Sequence, residues 1–152
     1  MPRDLGYDDE MPIPALLRAA RGAYGHAIQA RLVAAGFDDL PRNGPFVLGG
    51  VANQGAVAGD LVRQLGVSKQ AASQLVDVLV LRGYLERQVD PDDRRRLTIA
   101  LTERGREAAA AVQAGVEEVD GELALRLSSA QLAGLHAGLA ALCAIGEAAE
   151  AA

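Results

Sequence analysis

A chain of 152 residues with a net charge of −5 has the length of one domain with a core of its own. Half its residues are hydrophobic, only 3% are aromatic and none is Trp. The core is therefore built from Leu, Val and Ala, as in packed helices, and recognition of RNA or single strands by aromatic stacking is excluded. The charge does not exclude duplex DNA, because it is unevenly spread: the middle of the chain carries Arg63, Lys69, Arg82, Arg87, Arg94, Arg95, Arg96, Arg104 and Arg106. A locally basic face is enough to collect phosphates.

Residues 1–12 hold Asp4, Asp8, Asp9 and Glu10 against Arg3 and read as a flexible acidic N-terminus. Pro14 suits the first turn of a helix. A long helical pattern then runs from Ala15 to Ala35 and ends at Gly36. Gly22 and Gly25 inside it each cost about 1 kcal/mol relative to Ala, which argues for close packing or for a small gap that takes a ligand. Asp38 to Pro45 is a connector. A short helix, Phe46 to Val51, follows and contains Gly49-Gly50. The glycines of these two helices mark them as the expected flexible joint.

From Ala58 to Leu65 apolar residues recur at Ala58, Leu61, Val62 and Leu65, one face of a helix. Gly66 follows, where a helix end favours positive φ. Ser68 stands at the N-cap of the next helix, which turns Ala72, Leu75, Val76 and Leu79 inward. Lys69, Gln70, Ser73 and Gln74 fall on the other side of its first turns. Two helices across a short Gly-containing turn, with polar residues near the start of the second, form a helix-turn-helix. Ser68, Gln70, Ser73 and Gln74 are candidates for contacts to bases or phosphates, and Lys69 for phosphate or water.

The second helix stops near Arg82-Gly83. Tyr84 to Val89 and Arg96 to Leu101 read as two strands joined by the turn Asp90-Pro91-Asp92-Asp93. Arg94, Arg95 and Arg96 sit beside the tip; Arg94 and Arg96 are free to reach phosphates or to pair with Asp90, Asp92 or Asp93. Thr102 caps an alanine-rich helix to about Leu127, with Ala109, Val112, Val116, Val119 and Leu123 in register and Gly115 and Gly121 as interruptions. Ser128 or Ser129 begins the last helix, with Gln131 near a capping-box position. Leu132, Leu135, Leu139, Ala141, Leu142 and Ile145 form its apolar stripe.

The run from Asp60 to Gly105 resembles the MarR family of bacterial transcriptional regulators. The resemblance is carried by Asp93, Arg95, Leu101, Thr102 and Gly105, which are similar to that family's wing signature of an Asp-x-Arg tip and a strand ending in Leu-Thr-x-x-Gly. It implies a mainly α fold with a small β-hairpin wing: a winged helix-turn-helix over about 44–105, dimerisation helices over about 13–36 and 106–148, and a single domain over 13–152. It also implies that Arg95 enters the minor groove while Asp93 orients it. The protein is then a homodimer on a pseudo-palindromic operator, acting as a repressor. A small-molecule effector, often an aromatic acid or a lipophilic compound, binds between the dimerisation helices and the DNA-binding lobe.

Two other readings remain open. The chain could be a helical dimer that binds a ligand or protein without DNA, or a redox sensor through Cys143. Some members of the family sense peroxide through a cysteine near the start of the first helix, and this chain has none there. Cys143 lies on an apolar helix with no basic neighbour in sequence, so a buried and inert thiol is expected. One cysteine excludes an internal disulfide, and His26 and His136 lack the neighbours that make a metal site. Without GxSxG, HExxH, GxxxxGK[ST] or CxxC patterns, neither an enzyme nor a cofactor is expected. The start has no signal-peptide pattern, and the longest uncharged run, Ala130 to Gly146, is short for a membrane span. A cytoplasmic location, without a membrane, follows.

Overall fold

A computed structural model describes residues 11–54 and 65–151. They fall into two compact units, one ending at Val116 and the other spanning Glu117–Ala152. In the first unit, α1 (Ile13–Ala34) starts at an extended Pro12 N-cap with a proline in its first turn. It ends as Gly36 takes φ +85°. The Phe37 N–H then donates to Leu32 O at 2.8 Å and the Gly36 N–H to Val33 O at 3.0 Å, which satisfies the last carbonyls. α2 (Gly44–Gln54) follows a turn in which Asn43 has φ +66°. It is longer than the expected Phe46–Val51 and runs straight through Gly49-Gly50. Buried Val47, Leu48 and Val51 supply the packing that outweighs the glycine penalty.

The expected helix from Ala58 to Leu65 lies outside the described residues except for Leu65, which packs against the core. Gly66 has φ +63°, as a helix C-terminus favours. α3 (Lys69–Leu81) begins at Ser68, whose Oγ accepts from the Ala71 N–H at 3.1 Å. Ala72 and Leu79 are buried, and Leu75 and Val76 pack beside them, so the inward face is the expected one. Gly83, at φ +76°, turns the chain into β1 (Leu85–Val89), which pairs antiparallel with β2 (Leu97–Leu101). The register sets Leu85 opposite Leu101, Arg87 opposite Ile99 and Val89 opposite Leu97.

Thr102 caps α4 (Glu103–Arg126): its Oγ1 accepts from the Gly105 N–H at 3.0 Å and donates to Gly83 O at 2.5 Å. The core joins Leu32, Phe37, Val47, Leu48, Leu79, Tyr84, Leu85, Ile99, Ala108 and Val112. Gly115 does not interrupt α4 but is buried within it. A Cβ there would stand 2.6 Å from Ile28 Cα, so the missing side chain lets α1 and α4 cross backbone to backbone.

The second unit holds the end of α4 and α5 (Ser129–Glu150). Ser128 and Gln131 form a reciprocal capping box: Ser128 Oγ accepts from the Gln131 N–H, and Gln131 Oε1 from the Ser128 N–H. α5 buries no residue, and Leu135, Leu139, Leu142 and Ile145 are all exposed. Cys143 is exposed with them, which corrects the expectation of a buried thiol: no described residue covers this part of the helix. The helix extends beyond the uncharged run Ala130 to Gly146 to 22 residues. By length and composition alone α5 would suffice to cross a bilayer.

Candidate nucleic-acid interface

Ser68 ends its chain segment in extended geometry and α3 begins at Lys69, so the free N–H groups of the first turn point out of the helix end. Ser68, Lys69, Gln70, Ser73 and Gln74 are all exposed. Gln70, Ser73 and Gln74 turn away from Ala72 and Leu79 while Ser68 and Lys69 stand at the helix start, so a polar edge faces outward and the helix is anchored from behind. The spacing of buried positions, legible in the sequence, sets the division.

At the wing, the aspartates are spent on the backbone. Asp90 Oδ1 accepts from the Asp92 N–H at 2.9 Å, and Asp93 Oδ1 from the Arg95 N–H at 3.0 Å. Asp90 N–H donates to Arg96 O, and Arg96 N–H to Asp93 O, closing the turn. Asp93 therefore meets Arg95 through the main chain, fixing the turn from which the side chain departs. Pairing of Arg94 or Arg96 with Asp90, Asp92 or Asp93 does not form among the described residues. All three guanidinium groups are exposed beside the tip.

Two ion-pair arrangements behind this face were not legible in the sequence. Arg87 on β1 pairs with Asp77 on α3, both partly exposed, linking wing to helix. The second gathers more of the fold. Arg82, the C-cap of α3, donates to the backbone carbonyl of Asp39 in the connector between α1 and α2. The Tyr84 hydroxyl donates to Asp39 Oδ1. Arg104, in the first turn of α4, donates to the same Oδ1 at 3.1 Å and to the Tyr84 oxygen at 3.0 Å. Its guanidinium lies 4.6 Å from the Tyr84 ring centre and 5.5 Å from that of Phe37.

The Tyr84 hydroxyl and the Arg104 cation hold the Asp39 carboxyl below its usual range, although desolvation pulls the other way. Burial first, and then the Asp39 bond, push the Tyr84 phenol up. The Tyr84–Asp39 hydrogen bond contributes to both shifts. The residues are 45 and 65 positions apart, and no local pattern reports such a meeting.

Within the first unit, α1, the connector, α2 and α4 line an open cavity of about 660 Å³. Tyr24, Gly25, Gly49 and Gly50 line it, with Arg21 and Arg42 as its cations. A Cβ on Gly25 would meet nothing within 4 Å, and the same holds for Gly22. Close packing within the chain thus does not explain these glycines, and Gly25 opens onto space. Among the described residues no group of three or more His, Cys, Asp or Glu could hold a metal ion.

The helix-turn-helix edge, the arginine-tipped hairpin and the capped helix beyond it define a winged helix-turn-helix. The sequence model of the MarR family matches residues 38–96, the segment from the connector through the wing. No curated protein sequence matches the chain. Among solved structures, apo MarR from E. coli is 22% identical, with a TM-score of 0.61 over 87% of this chain and 97% of that one. The MepR–DNA complex from S. aureus is 23% identical, with a TM-score of 0.70 over 89% and 98%. S. aureus MepR bound to ethidium bromide is 21% identical, with a TM-score of 0.55 over 90% and 98%. The solved structures show the winged helix-turn-helix fold, and the segment from the connector through the wing is similar to the MarR family, as the wing sequence suggests.

Proposed function

We propose that this protein is a repressor that binds a pseudo-palindromic operator as a homodimer in the cytoplasm and is released by a small molecule. The observation that carries the reading is the pairing of an exposed polar edge on α3 with three exposed wing arginines that form no ion pair among the described residues. Ser68, Gln70, Ser73 and Gln74 read base edges or phosphates in the major groove, with Lys69 on phosphate. Arg95 enters the flanking minor groove, steadied by Asp93 through its backbone, while Arg94 and Arg96 hold phosphates. MepR has been crystallised on DNA, which supports the docking mode for this chain.

The apolar residues exposed on α5, together with Ile13, Leu16 and Leu17 on α1, are proposed to pair with a second copy of the chain rather than with lipid. Two copies then present two α3 helices about one DNA turn, roughly 10 bp, apart. The cavity beside Gly25 and Gly49 is the proposed effector site, by analogy with the ethidium complex of MepR. An effector weakens DNA binding only if it prefers the DNA-incompetent arrangement.

Titrating the protein with its own upstream DNA and with random duplex, at several salt concentrations, tests this reading. Tight, steeply salt-dependent binding to the upstream DNA supports it. No salt-sensitive binding even to random duplex refutes it in favour of a ligand- or protein-binding dimer.

A further inference from the structure

The contacts around Asp39 converge on the place from which both DNA-reading elements depart. Arg82 closes α3, and Tyr84 immediately precedes β1. Only three residues, Arg82 to Tyr84, separate the recognition helix from the wing, and two of the three bond to Asp39. Arg104 adds the start of α4 to the same carboxylate. Asp39 itself belongs to neither element: it sits in the connector, next to Leu40, Pro41, Arg42 and Asn43, which line the cavity.

We propose that Asp39 is a positioning residue for DNA recognition, holding the end of α3 and the root of the wing at the angle in which both reach DNA. The inference rests on the DNA-binding reading above and adds to it a residue that does not itself touch DNA. Leverage gives the contact its importance. The five residues of β1, at about 3.3 Å each, put the wing tip about 17 Å from its root. A tilt of roughly 10° at the root then moves the tip by about 3 Å, the length of a hydrogen bond. Arg95 would miss its groove while α3 stayed seated. Tyr84 is fully buried and anchors the root, so the hydroxyl and the carboxylate set the orientation of a root that the ring already holds. The depressed titration of Asp39 agrees, since it keeps the acceptor ionised across the physiological range.

Charge and geometry predict opposite signs, which makes the test sharp. Removing a carboxylate from a protein that binds a polyanion strengthens binding if charge alone matters. If Asp39 positions the wing, its loss weakens binding. The experiment first selects a preferred duplex from a random library with the native protein. It then measures affinity for that duplex and for random duplex, across a salt series, with Asp39→Asn, Tyr84→Phe and Arg95→Ala.

The expected result is a 3- to 10-fold weakening on the selected duplex for Asp39→Asn and for Tyr84→Phe, with random-duplex affinity and salt slope unchanged. Arg95→Ala lowers the slope if it also meets phosphate charge, which gives the comparison its scale. Equal or tighter binding of Asp39→Asn to the selected duplex overturns the inference, as does equal weakening on both duplexes, which marks a structural defect. If the native protein selects no duplex, the DNA-binding reading fails and the inference falls with it. That outcome is distinct from selection followed by indifference to Asp39→Asn.

Discussion

Replacing Gly105 by Ala tests how the wing is seated on α4. The new Cβ would stand 2.0 Å from the Tyr84 carbonyl oxygen, 3.0 Å from its carbon and 3.3 Å from Leu101 Cδ2. Ordinary contact begins near 3.4 Å, so the helix or the wing root must withdraw by more than an ångström. The atom in the way is backbone and cannot swing aside. It also accepts from the Thr102 N–H at 3.1 Å and from Thr102 Oγ1 at 3.2 Å, so withdrawal strains the helix cap. Overpacking costs typically 1–3 kcal/mol, and one or two weakened hydrogen bonds add about 1 kcal/mol each. Ala returns about 1 kcal/mol of helix propensity. The net expectation is a loss of roughly 1–4 kcal/mol.

Gly121, further along the same helix, has nothing within 4 Å of its would-be Cβ, so Gly121→Ala is expected to gain up to about 1 kcal/mol. Urea unfolding at one fixed protein concentration reads both. Two substitutions of the same sign would refute the reasoning, because propensity alone would then account for α4.

Ser68→Ala removes the oxygen that accepts from Ala71 and is expected to cost about 1 kcal/mol of stability, read by the same unfolding curve. Asp39 has a depressed pKa, so its contribution is present above the ordinary value of 3.8 and is lost as pH falls through the lower folded value. The stability gap between the native chain and Asp39→Asn should therefore hold from neutral pH to about pH 4 and close below it, as acid-titration unfolding would register. Leu139→Asp places a charge in the exposed stripe of α5 and is expected to shift the proposed dimer towards monomer in sedimentation, with DNA affinity falling in step. Cys143→Ser should leave DNA binding and any response to peroxide unchanged, since α5 carries no Lys or Arg to stabilise a thiolate. Loss of an oxidant response in this variant would revive the redox reading.

What the sequence made legible was what local periodicity and capping encode. The inward face of α3, the Ser68 and Ser128 caps, the hairpin and the Thr102 start of α4 all follow from spacing within a few residues. The reach of α2 through Gly49-Gly50 did not, because buried Val47, Leu48 and Val51 override a propensity penalty from outside the segment. Gly115 read as an interruption because its reason is Ile28, far away in the chain. At the candidate site, the exposed polar residues and the wing arginines were readable. Asp39, Tyr84 and Arg104 were not, since their meeting depends on three elements closing around one carboxylate. Cys143 read as buried because the helix is apolar, whereas exposure depends on what covers a helix, and the described residues bury no residue of α5.

The measurement that bears most directly on the proposed DNA recognition by α3 and the wing is the affinity of the native protein and of Arg95→Ala for the protein's own upstream DNA, at two salt concentrations. The guanidinium is exposed at the wing beside a turn closed by Asp93, so its removal should leave the fold intact. Tight, salt-sensitive native binding, with a loss on the order of 1–3 kcal/mol in Arg95→Ala, is the predicted result. Native binding that Arg95→Ala leaves unchanged would contradict it.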